Sequence, residues 1–84
     1  MLSNQDVRNF LIDFIQRSHS LPKGDEIDSI DLFATGYVDS MAVIRLVVEL
    51  ESMFDVRIEE EDIVSTAFRT VAGIANLVKK KQGL

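Results

Sequence analysis

Apolar residues recur at every third or fourth position in three stretches of the chain, the spacing of an amphipathic helix. These stretches predict three long helices, over about 4–17, 39–54 and 70–80. Four consecutive acidic residues open a shorter helix, predicted over 59–64, because negative charge is favourable at the positive end of the helix dipole. The pattern therefore predicts an all-α fold with a four-helix arrangement, three helices long and one short.

Polar residues that can accept a hydrogen bond from a free N–H of the first turn precede each long helix. These capping candidates are Ser3 or Asn4, Asp39 and Thr70. The segment 18–24, with its Pro and Gly, is expected to end the first helix. The segment 25–39 lacks a sustained helical period, but its apolar residues predict a long loop packed onto the core, with room for one short helical turn.

The predicted helix over 39–54 carries two apolar stripes. The stripe expected to be buried comprises Val43, Leu46, Val47, Leu50 and Phe54. The second stripe, about a quarter-turn away, comprises Met41, Ile44 and Val48. A domain this small has little core for both, so the second stripe is either a contact surface for a partner or is covered by the loop over 25–39.

The composition predicts a single folded domain over residues 1–84. Leu, Ile, Val and Phe account for 30 of the 84 residues, far more than in a disordered chain of this length. The chain has no cysteine, which excludes a disulfide scaffold, a thiolate metal site and a cysteine nucleophile. Any thiol chemistry therefore needs a sulfur from outside the chain.

Negative charge is concentrated in the middle of the chain. The net charge is −5, but residues 25–62 hold twelve of the fourteen acidic residues against two arginines, a net charge of −10. Such a field repels nucleic acid and anionic lipid and attracts basic protein patches. No basic-plus-apolar leader and no apolar run of membrane-spanning length occurs. We therefore expect a cytoplasmic protein without nucleic-acid binding or membrane insertion.

Candidate chemistry lies where the second long helix begins, at Gly36-Tyr37-Val38-Asp39-Ser40-Met41. A serine there projects from the mouth of a helix, where unpaired backbone N–H groups and the helix dipole favour an attached phosphate. An isolated Asp-Ser pair, however, is more often only a helix cap. The surrounding motifs are needed to decide between these interpretations.

Motifs along the chain, in this order, resemble the acyl carrier protein family. They are Asp28-Ser29-Ile30-Asp31-Leu32-Phe33, Gly36-x-x-Asp39-Ser40-Met41, Leu46-Val47-x-Glu49-Leu50-Glu51-x-x-Phe54, Ile58 with the acidic short helix, and Phe68-x-Thr70-Val71. The resemblance covers nearly the full chain and implies a four-helix bundle of acyl-carrier type with a long loop between helices one and two. The Gly-x-x-Asp spacing and the Met after the serine are similar to free-standing D-alanyl carriers and related specialised carriers.

The resemblance implies a carrier and not an enzyme. Asp39, Ser40 and Met41 look like the attachment motif, in which Ser40 is esterified by 4′-phosphopantetheine from coenzyme A. The thiol of this arm holds an acyl or aminoacyl group as a thioester. The implied partners of this carrier, expected to be a monomer, are a phosphopantetheinyl transferase that uses Mg²⁺, a loading enzyme, and a downstream acyltransferase or synthase.

The sequence departs from fatty-acid carriers on the predicted helix over 39–54, where the family presents acids to basic patches of synthase enzymes. Two of the usually acidic positions are Ala42 and Arg45, and another is Ser52. The expected partner-binding residues are Met41, Ile44, Arg45, Val48, Glu51 and Asp55. This pattern favours a role in a specialised biosynthetic pathway. A carrier for primary fatty-acid synthesis is the alternative.

Three other interpretations compete with the carrier. An enzyme would use Ser40 as nucleophile and His19 as base, but no Gly-x-Ser-x-Gly elbow or oxyanion-hole loop is evident. A calcium site at Asp25, Asp28 and Asp31 lacks the required spacing, so we expect no catalytic residue and no metal site. An unmodified helical adaptor would bind partners through the second stripe and would tolerate loss of Ser40.

Overall fold

Five α-helices and one 3₁₀ helix make up the protein, over residues 4–21 and 26–82, which the computed structural model describes. The α-helices are α1 (Asn4–Gln16), α2 (Glu26–Ser29), α3 (Ser40–Phe54), α4 (Glu60–Ile63) and α5 (Val71–Lys81). The 3₁₀ helix spans Thr66–Arg69. These described residues contain no strand. The prediction of an all-α fold is confirmed.

The three long helices lie where the apolar period predicts them. α1 ends at Gln16, one residue before the predicted end, and α3 and α5 end within one residue of theirs. Asp39 caps α3, and the hydroxyl of Thr70 caps α5 by accepting a hydrogen bond from the Gly73 amide. Some of the predicted features lie outside the described residues. They are the cap at Ser3, the side chain of Asn4, and residues 22–24, which were expected to end the first helix.

The short elements differ most from the prediction. The segment 25–39 is predicted to have room for one short helical turn, and α2 is that turn. Non-helical turns follow it over 32–36. The 3₁₀ helix Thr66–Arg69 was not predicted. It has four residues and one buried side chain, Phe68, so no apolar period marks it in the sequence. Among the described residues, α4 thus corresponds to the predicted short helix and α2 to the helical turn, and the 3₁₀ helix is the element that the pattern misses.

A core of large apolar side chains joins the helices. The fully buried ones are Val7, Leu11, Ile15, Leu32, Val38, Leu46, Leu50, Phe68, Val71, Ile74 and Val78. Each side chain of this size contributes about 1.5–3 kcal/mol when it is removed from water. The ring of Phe10 lies 5.6 Å from that of Phe54 in an edge-to-face arrangement, which joins α1 to α3. The long helices thus share one core.

The 3₁₀ helix packs against α5 at Gly73. A Cβ built on Gly73 would overlap the carbonyl oxygen of Ala67 and lie 2.8 Å from its carbonyl carbon. Only a residue without a side chain allows the two backbones to approach this closely. Gly73 therefore fixes the distance between α5 and the 3₁₀ helix.

Candidate functional site

The carboxylate of Asp39 organises the N-terminus of α3. Its Oδ1 accepts hydrogen bonds from the backbone N–H of Met41 at 3.1 Å and of Ala42 at 2.8 Å. Its backbone is extended, and its carbonyl accepts the first helical hydrogen bond, from Val43 N–H at 2.9 Å. Ser40, the first residue of the helix, is exposed. A rigid cap thus presents an accessible hydroxyl at the mouth of a four-turn helix.

The cap changes the expected role of the helix N-terminus in phosphate binding. The sequence suggested that free N–H groups would favour a phosphate on Ser40, but two of these groups already donate to Asp39. The Asp39 carboxylate also offsets part of the positive end of the helix dipole. The helix mouth therefore suits covalent attachment to an exposed hydroxyl better than capture of a free phosphate. A covalent 4′-phosphopantetheine fits this site, since the ester bond holds the group without a cradle.

A network around Asp31 holds the loop that leads into Ser40. Asp31 Oδ1 accepts hydrogen bonds from the amides of Phe33 and Ala34 at 3.0 and 2.9 Å, and Oδ2 accepts one from Arg69 Nε at 2.7 Å. The Ala34 amide first, and then the Arg69 guanidinium, hold the pKa of Asp31 below its ordinary value. The backbone N–H of Leu32 donates to the carbonyl of Arg69 at 2.7 Å. The loop is thereby joined to the 3₁₀ helix.

Gly36 reverses the chain just before the cap. Its φ is +81°, in the left-handed region that residues with a side chain rarely adopt. Val38 then turns inward, where it is buried, and its N–H donates to the carbonyl of Leu32 at 3.0 Å. Because Val38 is held in the core, Asp39 and Ser40 lie at the surface directly after it. The Gly-x-x-Asp spacing therefore has a structural cause.

The second stripe of α3 is exposed. Met41, Ile44 and Val48 retain 71%, 63% and 60% of their accessible surface, whereas Leu46 and Leu50 are buried. The alternative that the loop over 25–39 covers the stripe is therefore wrong. Three neighbouring apolar side chains in water, on the helix that begins with Ser40, make a surface suited to a partner protein. We call Met41, Ile44 and Val48 the α3 stripe.

The charged residues expected around the α3 stripe have different surroundings. Arg45 is exposed, and it takes part in no ion pair with another described residue. Glu51 is half-buried, and its Oε2 accepts a hydrogen bond from Ile58 N–H at 2.8 Å. Asp55 is exposed and ends α3 in a left-handed conformation, with φ of 54°. Glu51 thus has a structural role, and its part in partner binding stays a prediction.

Acidic residues considered for a metal site have other partners. Asp28 pairs with Arg8 Nε at 2.8 Å, and Asp31 pairs with Arg69, while Asp25 lies outside the described residues. Within residues 4–21 and 26–82, no three His, Cys, Asp or Glu side chains are grouped so that they could hold a metal ion. Every helix among these described residues is too short or too polar to span a bilayer.

A cleft beside the α3 N-terminus is a feature that the sequence did not predict. It has a volume of about 230 Å³, and its lining includes Arg17, His19, Tyr37, Asp39, Met41 and Arg45. The rings of His19 and Tyr37 pack edge to face at 5.4 Å. His19, considered above as a base for Ser40, is thus part of the wall of this cleft. The residues come from α1, two loops and α3, so no local sequence pattern marks them.

Comparison with known proteins places the site in a family. The family profile described as "Phosphopantetheine attachment site" matches residues 10–78, which include the cap, the serine and the α3 stripe. The chain belongs to this family of phosphopantetheine carriers. It is a carrier protein and not an enzyme, and its prosthetic group is 4′-phosphopantetheine. Carriers of this kind work with a phosphopantetheinyl transferase and with loading enzymes.

Curated relatives of this carrier include D-alanyl carrier proteins from three strains of Streptococcus thermophilus: ATCC BAA-491 / LMD-9, CNRZ 1066 and ATCC BAA-250 / LMG 18311. Each is 37% identical to it over 76 residues, which cover 86% of this chain and 95% of the relative. No solved structure gives a significant match. The resemblance seen in the sequence motifs is confirmed at the level of the family.

Proposed function

We propose that Ser40 carries the 4′-phosphopantetheine arm and that the arm shuttles acyl or aminoacyl groups, as thioesters, between partner enzymes. The observation that carries this proposal is the exposed hydroxyl of Ser40 at the first residue of α3, directly after the Asp39 cap. Its Asp39-Ser40-Met41 context lies inside the matched residues 10–78. The chain has no cysteine, so the thiol of the arm supplies the sulfur for the thioester.

The attachment reaction needs no base from this chain. Ser40 Oγ bonds to the pantetheine-side phosphorus of coenzyme A, the P–O bond of the pyrophosphate breaks, and adenosine 3′,5′-bisphosphate leaves. The hydroxyl proton passes to a base of the transferase, where Mg²⁺ stabilises the leaving phosphate. Asp39 holds the first turn of α3 so that the hydroxyl stays accessible. Attachment then raises the effective concentration of the cargo at each partner enzyme.

The cargo proposal follows the relatives and the charges on α3. Because the relatives are D-alanyl carriers, D-alanine is the first aminoacyl cargo to test. Ala42, Arg45 and Ser52 replace acids that fatty-acid carriers present, and Arg45 is exposed beside the α3 stripe. These departures support a specialised biosynthetic pathway with its own loading enzyme. A carrier for primary fatty-acid synthesis is the alternative.

The proposed molecule is a single carrier domain over residues 1–84, a monomer that acts in the cytoplasm. Its helices are proposed to form the four-helix bundle of acyl-carrier type, with α1, α3 and α5 as the long helices and α4 as the short one. The α3 stripe, Arg45, Asp55 and Glu51 are proposed to bind the transferase, the loading enzyme and the downstream acyltransferase or synthase.

The competing function is an unmodified adaptor that uses the exposed α3 stripe alone. Intact-protein mass spectrometry of the chain purified from its native host separates the two, because it reads the arm and the cargo together. A carrier gives a mass increase equal to that of the arm, or to that of the arm plus its cargo. Ser40→Ala abolishes this increase. An unmodified mass in the host, together with full function of Ser40→Ala, would support the adaptor.

A further inference from the structure

The cleft beside the α3 N-terminus is lined by several hydrogen-bond donors and by one carboxylate, that of Asp39. Arg17 and Arg45 both border it, together with the half-buried Tyr37 and the exposed His19. These groups supply N–H and O–H donors around a space of about 230 Å³. An arginine binds a carboxylate or a phosphate with geometric specificity, because two of its N–H groups can bond two oxygens at once.

The two arginines of the cleft are not equivalent. Arg17 donates through both terminal nitrogens to Glu49, at 2.9 and 3.0 Å, and this pair neutralises its charge. Arg8, Arg57 and Arg69 are likewise paired with acids, at 2.8, 3.2 and 2.7 Å. Arg45 has no such partner among the described residues, although twelve of the fourteen acids lie in the same segment, 25–62. Its guanidinium is therefore available to a ligand.

An anion attached to Ser40 begins at the edge of this cleft. Ser40 lies between Asp39 and Met41 in the chain, and both of these residues line the cleft. The amides of Met41 and Ala42 already donate to Asp39, so they offer little to a phosphate on the serine. Asp39 lines the cleft and repels an anion near it, so the charge that favours anion binding has to come from Arg45. A flexible arm on Ser40 can fold back over these residues.

We propose that the cleft binds an anionic group of the arm carried on Ser40, with Arg45 as the charged donor and Tyr37 as a second donor. The anion is either the phosphodiester at the root of the arm or a carboxylate at the end of the cargo. A D-alanyl cargo has its carboxyl group in the thioester and carries an ammonium group, so with that cargo the phosphodiester is the anion. This inference rests on the proposed attachment at Ser40.

The test compares four forms of the ¹⁵N-labelled chain: unmodified, and loaded by a broad-specificity phosphopantetheinyl transferase from coenzyme A, acetyl-coenzyme A or succinyl-coenzyme A. Amide shifts of His19 and Tyr37, the side-chain Nε shift of Arg45 and the ³¹P shift of the arm are recorded. The same set is made for Arg45→Gln and for Arg57→Gln, a matched exposed arginine outside the cleft.

We expect loading to shift the cleft resonances in the wild type and in Arg57→Gln, and this shift to be lost in Arg45→Gln. Shifts common to all three loaded forms, with a ³¹P shift that depends on Arg45, identify the phosphodiester. Shifts confined to the succinyl form identify a cargo carboxylate. Cleft resonances that do not move on loading, or that move equally in Arg45→Gln, overturn the proposal while leaving the carrier function intact. If mass spectrometry finds no modification at all, both proposals fail together.

Discussion

Arg69 Nε lies 2.7 Å from Asp31 Oδ2, although 38 residues separate them in the chain. The bond joins the 3₁₀ helix to the loop that precedes Ser40, the first residue of α3. The ring of Phe33 lies beneath the same guanidinium, with Cζ 5.6 Å from the ring centroid. Since the backbone carbonyl of Arg69 also accepts from Leu32 N–H, one residue fixes the loop through its main chain and its side chain.

The lowered pKa of Asp31 predicts how stability depends on pH. A carboxyl group with a lower pKa in the folded state contributes stability above its unfolded pKa, and this contribution is lost as pH falls through the folded pKa. The free energy of unfolding of the wild type should therefore decrease more than that of Asp31→Asn when pH is lowered from 7 to below about 4. Urea unfolding at both pH values measures this, and parallel decreases in the two proteins would contradict it.

Gly73→Ala should destabilise the fold, although alanine ordinarily favours a helix over glycine by about 1 kcal/mol. The added methyl group meets the Ala67 carbonyl, so the 3₁₀ helix or α5 must shift. Overpacking of this kind costs about 1–3 kcal/mol. Urea unfolding should show this loss for Gly73→Ala and little change for Lys80→Ala, an exposed position of the same helix. A more stable Gly73→Ala variant would show that the two backbones lie further apart.

Val48 of the α3 stripe should be needed for loading, whereas Met53, an apolar residue of α3 outside the stripe, should not. Val48→Asp places a charge in the proposed contact and should lower loading of the holo protein by its enzyme about tenfold or more. Met53→Asp is the matched control, because Met53 is an apolar residue of the same helix with 57% exposure against 60% for Val48. Steady-state loading is measured after circular dichroism confirms that both variants fold. Equal losses in the two variants would argue against a localised docking surface.

Reversal of the charge at Arg45 should change the choice of partner. Arg45→Glu restores an acid where fatty-acid carriers have one, so we expect slower loading by the cognate enzyme and better recognition by fatty-acid synthase enzymes. Because Arg45 is exposed, the change should lie mainly in association rate and its dependence on salt. The rates are measured with holo protein at two ionic strengths. Unchanged loading by both classes of enzyme would remove the main support for a specialised pathway.

The sequence predicted those parts of the molecule that depend on local spacing. The apolar period located α1, α3 and α5, and Asp39 before a helical pattern identified the cap beside Ser40. The exposure of the α3 stripe was undecided, because a helical wheel shows which residues share a face but not what packs on it. The exposure of these side chains in the structure shows that nothing in the described chain covers the stripe.

The missed features all depend on contacts between residues distant in the chain. Arg17 and Glu49 are 32 residues apart, and the cleft combines side chains from α1, α3 and two loops. The 3₁₀ helix has too few residues for a period, and its position depends on the absence of a side chain at Gly73. No local pattern of polar and apolar residues encodes these relationships. A charge count could have pointed to Arg45 as an unusual cation in an acidic segment, but not to its cleft.

Intact-protein mass spectrometry after incubation with coenzyme A, Mg²⁺ and a broad-specificity phosphopantetheinyl transferase tests the assignment of Ser40 most directly. The wild type should gain the mass of one phosphopantetheinyl group. Ser52→Ala, which removes another exposed serine of α3, should gain the same mass, and Ser40→Ala should gain none. Modification of Ser40→Ala, or a wild type that stays unmodified with several such transferases, would contradict the assignment.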